Sequence, residues 1–238
     1  MFVTAIVALT GIVATAPIQD PGLDALRLIR DHNRNWPRTI TFVQHTHFPD
    51  GHVETWYESM AAPGRLRIDR TPLDQQRAVI FRADSQYTVA GGAVQSAVPL
   101  VHVLLVLAYD ARVDPVERTA ARLREVGFDL SRGYETEWEG RPVLVVGAEQ
   151  GDTTSNQFWV DRERGVTVRV IHAPAGRPAD FRLGGFVRVA DGWMETRVEF
   201  IRGGRLLLRE EYEDIHPNVR LDPAVFVPGH AAPAWIPR

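Results

Sequence analysis

The stretch Gly133-Tyr-Glu-Thr-Glu-Trp-Glu-Gly-Arg-Pro-Val-Leu-Val-Val146 places two strand-length segments on either side of a tight turn at Glu139-Gly140. Four more segments of strand-like alternation follow as far as Ile215, separated by further polar turns that contain glycine or aspartate. Turns of this kind favour positive φ and reverse the chain at once. We therefore expect residues 133–215 to pair as an antiparallel meander with one wet and one apolar face.

The first half of the chain repeats this pattern after a leading helix. Leu23, Leu26 and Ile29 give helical spacing over residues 22–33, with Asp20-Pro21 as its start signal. Alternation and turn residues then predict five strands, at residues 39–47, 52–60, 65–69, 78–83 and 86–90.

Two segments between the strand-rich halves have a different character. Residues 100–108 are apolar nearly all round and broken only by His102, a pattern that favours a buried helix over a strand. Residues 115–126 form a clearer amphipathic helix, with Asp114 as its cap and Pro115 at its first position.

These elements predict an α+β fold. About 11 strands in one antiparallel sheet twist strongly and curl into an unclosed β-barrel. The helices are the only apolar elements left to cover its concave side. A curled sheet with helices in its mouth leaves an apolar cavity, a common location for a small-molecule site.

Composition narrows the function. The net charge of −3 argues against a nucleic-acid partner. The absence of cysteine excludes disulfides, thiolate metal sites and a cysteine nucleophile. No sequence motif places a catalytic triad, a zinc-protease site or a phosphate loop, so we expect no catalysis and no cofactor.

The N-terminus predicts export. Residues 2–16 are an apolar run that ends in Ala14-Thr15-Ala16, the cleavage signature of a signal peptide, although no basic residue precedes it. A retained anchor or a buried first helix is the alternative. We predict a signal peptide at residues 1–16 and a single domain at residues 17–238, located in the periplasm or otherwise exported.

Several motifs follow one another in a characteristic order. Leu23-Asp-Ala-Leu26 precedes the strand Ile40-Thr-Phe-Val-Gln44, and Ala62-Pro-Gly-Arg-Leu-Arg-Ile-Asp69 comes next. A hairpin around Ser85 and the tail Leu221-Asp-Pro-Ala-Val-Phe-Val-Pro228 complete the series. In this order the chain resembles the LolA/LolB-like superfamily of periplasmic lipoprotein carriers and lipoprotein-sorting proteins, over nearly the whole mature chain.

The resemblance implies an open barrel whose apolar cavity holds acyl chains under a helical lid. The segment from Leu100 to Leu107 is the candidate lid or cavity floor, with buried core as the alternative. Arg65 or Arg67 is the positional candidate for an arginine that holds the lid shut. The residues expected to line the cavity are Phe42, Tyr57, Ile68, Phe81, Leu100, Leu104, Leu107 and Trp159.

The resemblance also implies partners. We predict a monomeric, non-catalytic carrier for a lipid, a lipoprotein acyl chain or another amphiphile, with a membrane-protein donor or acceptor. The alternative is a cell-envelope sensor with the same fold that signals to a membrane partner.

A cluster of histidines offers a third hypothesis. If Asp50-Gly51 is a two-residue turn, His45, His47, His52 and Glu54 share one side of a hairpin. Imidazole nitrogens and a carboxylate are ligands for Zn²⁺ or Cu²⁺, so this hairpin is a candidate metal site and, less favoured, the centre of a metal-dependent enzyme. A solvated hairpin tip is the alternative.

Overall fold

The computed structural model describes residues 20–230, so the predicted signal peptide lies outside the described residues. Helix α1 covers Pro21–His32 and helix α2 covers Val116–Glu125. Between them, a π-helix at Leu105–Tyr109 continues into a 3₁₀ turn at Asp110–Arg112. Within residues 20–230, none of the helices has the length and apolar content that a membrane crossing requires.

The described residues form fifteen strands. Their bounds are β1 Thr39–His47, β2 Val53–Ala61, β3 Arg65–Arg70, β4 Arg77–Arg82, β5 Ser85–Ala90, β6 Ala93–Pro99, β7 Gly133–Trp138, β8 Arg141–Val146, β9 Gln157–Asp161, β10 Val166–His172, β11 Ala179–Gly184, β12 Val187–Val189, β13 Gly192–Met194, β14 Arg197–Arg202 and β15 Arg205–Pro217.

Thirteen of these strands form one antiparallel sheet. Its order is β6-β5-β4-β3-β2-β1-β15-β14-β11-β10-β9-β8-β7, while β12 and β13 form a separate hairpin. The chain therefore makes two meanders. The first meander consists of β1 to β6, and the second consists of β7 to β11 with β14 and β15. They are joined where β1 pairs with β15. Strands β6 and β7 are the two free edges of this sheet, so it is unclosed. The α+β class, the antiparallel meander and the large open sheet are confirmed.

The predicted number of about 11 strands is wrong. Strands β6, β11 and β12 were not expected, and the segment expected at residues 194–201 is divided between β13 and β14. Strand β6 escapes prediction because all seven of its residues are exposed, so it carries no alternation of polar and apolar side chains. Its only sheet neighbour is β5, as befits an edge strand.

Two apolar clusters hold the helices to the sheet. One joins α1, α2 and the π-helix to β8, β9 and β10, with Leu26, Leu123 and Phe158 among its fully buried members. The other joins the π-helix to β1, β2, β3, β11 and β14. Phe181 packs against both clusters, which places them on the same face of the sheet.

Helix α1 begins where the predicted start signal lies. The Asp20 side chain accepts a hydrogen bond from the Leu23 amide at 3.0 Å, and Pro21 occupies the first turn. Gly22 lies against Leu130, to whose carbonyl its amide donates at 3.0 Å. A Cβ atom at Gly22 would come within 2.4 Å of Leu130 Cβ, so this approach requires glycine.

We expect Gly22→Ala to lower the free energy of unfolding by about 2 kcal/mol, because the added methyl group overpacks the contact with Leu130. Urea denaturation measures this loss. Arg27→Ala, on the exposed side of α1, is the control and should change stability by less than about 0.5 kcal/mol. Equal losses in the two variants would contradict the close approach.

Candidate functional site

A cavity lies between the sheet and residues 100–112, which we call the covering segment. His102, Leu104, Leu105 and Tyr109 of the covering segment line one side of it. Its volume is about 60 Å³, which is room for roughly four water molecules at about 15 Å³ each.

The opposite wall is largely apolar and comes from both meanders. The Phe42 and Tyr212 rings, from β1 and β15, lie 4.7 Å apart between centroids. The apolar side chains that strands contribute include Phe42, Met60, Leu66, Ile68, Val198 and Phe200.

Three carboxyl groups interrupt this apolar wall. Glu58 lies on β2 opposite Phe42, and Glu210 lies on β15 opposite Thr46. Glu195 lies in the short connection between β13 and β14. Their side chains belong to residues that are 4%, 9% and 1% exposed, respectively. Burial of an ionised carboxyl group is costly, so each of these groups has to be either paired with a cation or protonated.

Arg112 is the partner of one of these carboxyl groups. Its Nη2 lies 3.7 Å from Glu195 Oε2, and both side chains are almost fully buried. The guanidinium also stacks over the Trp36 ring at 3.9 Å and donates from Nη1 to the Trp193 carbonyl at 2.6 Å. Burial raises the pKa of Glu195, and the nearby Arg112 opposes that rise.

Glu58 and Glu210 have no ion-pair partner within residues 20–230. Burial raises the pKa of Glu210 to about 7, although the Tyr212 hydroxyl donates to its Oε2 at 2.6 Å. Burial, followed by repulsion from Glu210, raises the pKa of Glu58 well above its usual value. At mildly acidic pH these carboxyl groups therefore keep their protons.

His102 is the titratable base in the covering segment that faces the cavity. Its ring packs edge-on against Phe81 at 4.4 Å, and Nδ1 accepts a hydrogen bond from the Leu105 amide at 3.0 Å. Burial lowers its pKa to about 4, so at neutral pH the imidazole carries no charge.

The covering segment is held to the sheet by Asp110 and Arg122. Asp110 is fully buried and accepts hydrogen bonds from the Gly64 amide at 2.9 Å and from Arg122 Nη1 at 2.8 Å. Arg122, on α2, also reaches Asp84 in the β4–β5 turn at 2.5 Å. One arginine thus ties α2, the covering segment and the first meander together.

The arginines that the resemblance suggested do not touch the covering segment. Arg67 makes a buried ion pair with Asp69 at 2.7 Å and donates to the carbonyls of Val225 and His230. Arg65 lies over the Phe226 ring at 5.6 Å. Both hold the C-terminal part of the described chain instead. The role of Arg122 could not be predicted from the sequence, because α2 has the pattern of an ordinary amphipathic helix.

Three of the eight predicted cavity residues lie in the wall, namely Phe42, Ile68 and Leu104. Their role in ligand binding stays a prediction. Phe81 lies beside the cavity, in contact with His102. Leu107 is fully buried but faces the cluster around α1 and α2.

The other three predicted residues are not among those that line the cavity. Tyr57 alternates with the inward-facing Glu58 and so lies on the other face of β2. Trp159 lies in a separate cluster that includes Trp138 and Val145, because its neighbours on β9 take the helix-facing positions. Leu100 is 40% exposed at the end of β6.

The histidine hairpin has a different register from the expected one. The connection is longer than two residues, with the Phe48 amide bonded to the His52 carbonyl, so His47 pairs with Val53. This shift by one residue pairs Glu54 with Thr46 and moves it to the opposite face from His45 and His47.

The predicted metal ligands consequently form separate pairs. His45 contacts Glu213 at 2.8 Å, His47 contacts Glu211 at 3.3 Å and His52 contacts Glu54 at 3.6 Å. In the part of the chain that the structure describes, no three His, Asp or Glu side chains are arranged to hold a metal ion.

The buried carboxyl groups were missed. Glu210, Glu211 and Glu213 all read as the wet side of a strand, and only the last two have half-exposed or exposed side chains. The one sequence signal for the burial of Glu210 is its alternation with Leu208 and Tyr212, which puts all three residues on the same face of the strand.

Comparison with solved structures identifies the fold. A domain assigned to outer membrane lipoprotein sorting, from Vibrio parahaemolyticus, superposes with a TM-score of 0.57 at 10% identity, over 87% of this chain and 96% of its own. A DUF1329 family protein from Desulfovibrio piger gives 0.56 at 13% identity, over 90% and 100% of the two chains. A LolA superfamily protein from Nitrosomonas europaea gives 0.51 at 12% identity, over 85% and 97%.

These likenesses confirm the resemblance at the level of the fold, and the chain has a LolA-like architecture. No protein-family model matches the sequence, and no curated protein is similar to it. At such low identity the likeness establishes the fold and leaves the activity to be argued from the site.

We expect Arg122→Gln to lower the free energy of unfolding by about 3 kcal/mol, because it leaves the buried Asp110 carboxylate without its cation. Chemical denaturation measures the loss. Arg118→Gln is the matched control on the same helix, since the Arg118 side chain is 64% exposed and its pair with Asp114 should contribute less than about 1 kcal/mol. The assignment fails if both variants lose the same stability.

The raised pKa of Glu210 predicts a pH dependence of stability. Between its usual value of 4.5 and about 7, the folded protein holds a proton that the unfolded chain has lost. Stability should therefore fall as the pH rises through this window. Urea denaturation from pH 5 to pH 8 should show a shallower fall in Glu210→Gln than in the unmodified protein. Glu211→Gln, on the exposed face, should leave the fall unchanged.

Proposed function

We propose that the protein is a non-catalytic carrier for an amphiphile, such as a lipid or a lipoprotein acyl chain. The observation that carries this proposal is the cavity between an apolar sheet wall and the covering segment in a LolA-like fold. The solved structures of this fold include a domain assigned to lipoprotein sorting, which supports the same kind of cargo for this chain.

The physical chemistry of the wall suits such a cargo. Moving an acyl chain from water to an apolar surface stabilises it by about 0.8 kcal/mol for each buried CH₂ group. Ile68, Leu104 and Val198 present such a surface from β3, the covering segment and β14. A chain that lies against them would remain shielded from water during transfer between membranes or partners.

Loading requires the covering segment to move. The cavity of about 60 Å³ is far smaller than the roughly 300 Å³ or more of typical ligand sites. A cavity of this volume is too small for an acyl chain. The contacts of the Asp110–Arg122 pair with Gly64 and Asp84 are the bonds that an incoming chain has to loosen or displace.

The proposal extends to the location and the partners of the protein. Residues 17–238 act as one exported domain in the periplasm, with a membrane-protein donor or acceptor for the cargo. The apolar run before Pro17 supports export.

Binding of a neutral fluorescent monoacylglycerol to delipidated protein tests the proposal. We expect saturable binding, and we expect Ile68→Trp to weaken it by about tenfold because the indole fills the cavity. Val98→Trp, on the exposed edge strand β6, is the matched control and should bind like the unmodified protein.

Mass spectrometry of lipids that co-purify with the protein gives a second measurement. Acyl chains should be recovered from the unmodified protein and from Val98→Trp, and in smaller amount from Ile68→Trp. Absence of monoacylglycerol binding together with absence of co-purifying acyl chains would refute the carrier proposal.

A further inference from the structure

Glu58 and Glu210 give the cavity a charge preference that an acyl-chain site does not need. No hydrogen bond from the described residues reaches the Glu58 carboxyl group, although Glu58 is 96% buried and lines the cavity. Glu210 is hydrogen-bonded by the Tyr212 hydroxyl and by the Gln44 side chain. Glu195 Oε2, on the same wall, is buried and accepts no hydrogen bond. The Glu58 carboxyl group is thus an acceptor in the cavity wall without a donor from residues 20–230.

The positively charged groups nearby are already engaged. Arg112 is committed to Glu195, Trp36 and the Trp193 carbonyl. Arg70, two residues after Ile68 on the same face of β3, lies over the Trp56 ring at 4.1 Å and interacts electrostatically with Glu54. His102 is neutral at physiological pH. The tyrosine hydroxyls of Tyr109 and Tyr212 carry no charge there. Ionised Glu58 and Glu210 would therefore lack any counterion from residues 20–230.

Aromatic rings surround these carboxyl groups. Phe42, Tyr109, Phe200 and Tyr212 all line the cavity. The face of an aromatic ring attracts an organic cation, most strongly where water is excluded. A carboxylate beside such rings is a combination that recognises an ammonium group and its alkyl substituents together.

A bare metal ion fits this site poorly. Oxygen-binding cations such as Ca²⁺ take six or more oxygen ligands, and within the described chain no three acidic or histidine side chains are grouped for a metal. The apolar side chains of Leu105 and Val198 beside the carboxyl groups offer no ligand atoms. They offer instead the surface that an alkyl chain needs.

We infer that the cavity binds an amphiphile through a protonated amine, with the ammonium group between Glu58 and Glu210 and its alkyl chain against Ile68 and Val198. This inference rests on the carrier proposal and specifies the head group of the cargo. The ammonium N–H groups donate to oxygen atoms of these carboxyl groups, one of which is ionised and neutralises the ammonium charge. The covering segment then closes over the complex through Tyr109.

Proton balance follows from this arrangement. Without a bound cation, Glu210 keeps its proton below about pH 7, and burial likewise favours the protonated form of Glu58. When the ammonium group enters, one of the two carboxyl groups ionises and releases its proton to solvent, so that one carboxylate balances one ammonium charge. The preference for an amine over a neutral head group should therefore increase from pH 5 to pH 8, while an alkyl amine remains protonated throughout this range.

Three probes with the same alkyl chain test the inference by isothermal titration calorimetry at pH 8. We expect octylammonium to bind about tenfold tighter than octanol, and octanoate to bind more weakly than octanol. Near pH 7, octylammonium binding should release protons, seen as a difference in heat between buffers of different ionisation enthalpy. Octanol binding should release none.

Each of the two matched variants replaces two ionisable carboxyl groups by amides. In Glu58→Gln/Glu210→Gln the affinities for octylammonium and octanol should converge, and this double variant should remain folded because glutamine replaces a protonated carboxyl group of the same shape. Glu211→Gln/Glu213→Gln, on the exposed face of β15, should keep the full preference.

The outcomes separate the two proposals. Binding of octanol with no preference for octylammonium would overturn the amine assignment and leave the carrier function in place. A preference that persists in Glu58→Gln/Glu210→Gln, or octylammonium binding without proton release, would also overturn the assignment. Failure of all three probes to bind would contradict the carrier function itself.

Discussion

The pairing of β1 with β15 determines the rest of the architecture. The two strands run side by side from Ile40 opposite Pro217 to His47 opposite Arg209, and they join residues from opposite ends of the described chain. Each meander alone would end in an exposed strand edge at this point. The pairing also places Gln44 opposite Tyr212, at the centre of the cavity wall. Because the cavity draws side chains from both meanders, it exists only when this long-range pairing has formed.

The buried carboxyl groups on this wall work against stability. Apolar side chains of similar volume in place of a buried ionic group are often neutral or stabilising, so packing alone gives no reason for Glu58, Glu195 and Glu210. Arg112 offsets the cost for Glu195 through its ion pair and its stacking on Trp36. No comparable partner within residues 20–230 offsets the cost for the other two. Such uncompensated polar groups are concentrated at sites where a ligand supplies the missing interaction.

Much of the fold, but little of this site, could be predicted from the sequence. Alternation and turn residues gave the bounds of β1 without error and those of most other strands to within one or two residues. Period-two alternation divides a strand into two faces without telling which face is buried, so Glu210 was grouped with the exposed Glu213. The predicted register of the histidine hairpin was wrong for a related reason. One extra residue in its turn moved Glu54 to the other face.

The attachment of the covering segment is asymmetric, and this asymmetry defines how it can open. On the side of the second meander, the Leu107 carbonyl accepts a hydrogen bond from Thr167 at 3.1 Å, and Val106 and Leu107 are buried in the cluster with α1 and α2. On the side of the first meander, the Leu100 amide donates a hydrogen bond to the Asp84 carbonyl at 2.8 Å. The Asp110–Arg122 pair makes two side-chain contacts there, with Gly64 and Asp84. Breaking these two contacts keeps Asp110 paired with Arg122, so no buried charge is left without a partner. Opening on the first-meander side is therefore less costly than detachment from the helices, and it exposes the wall that carries Ile68 and Glu58.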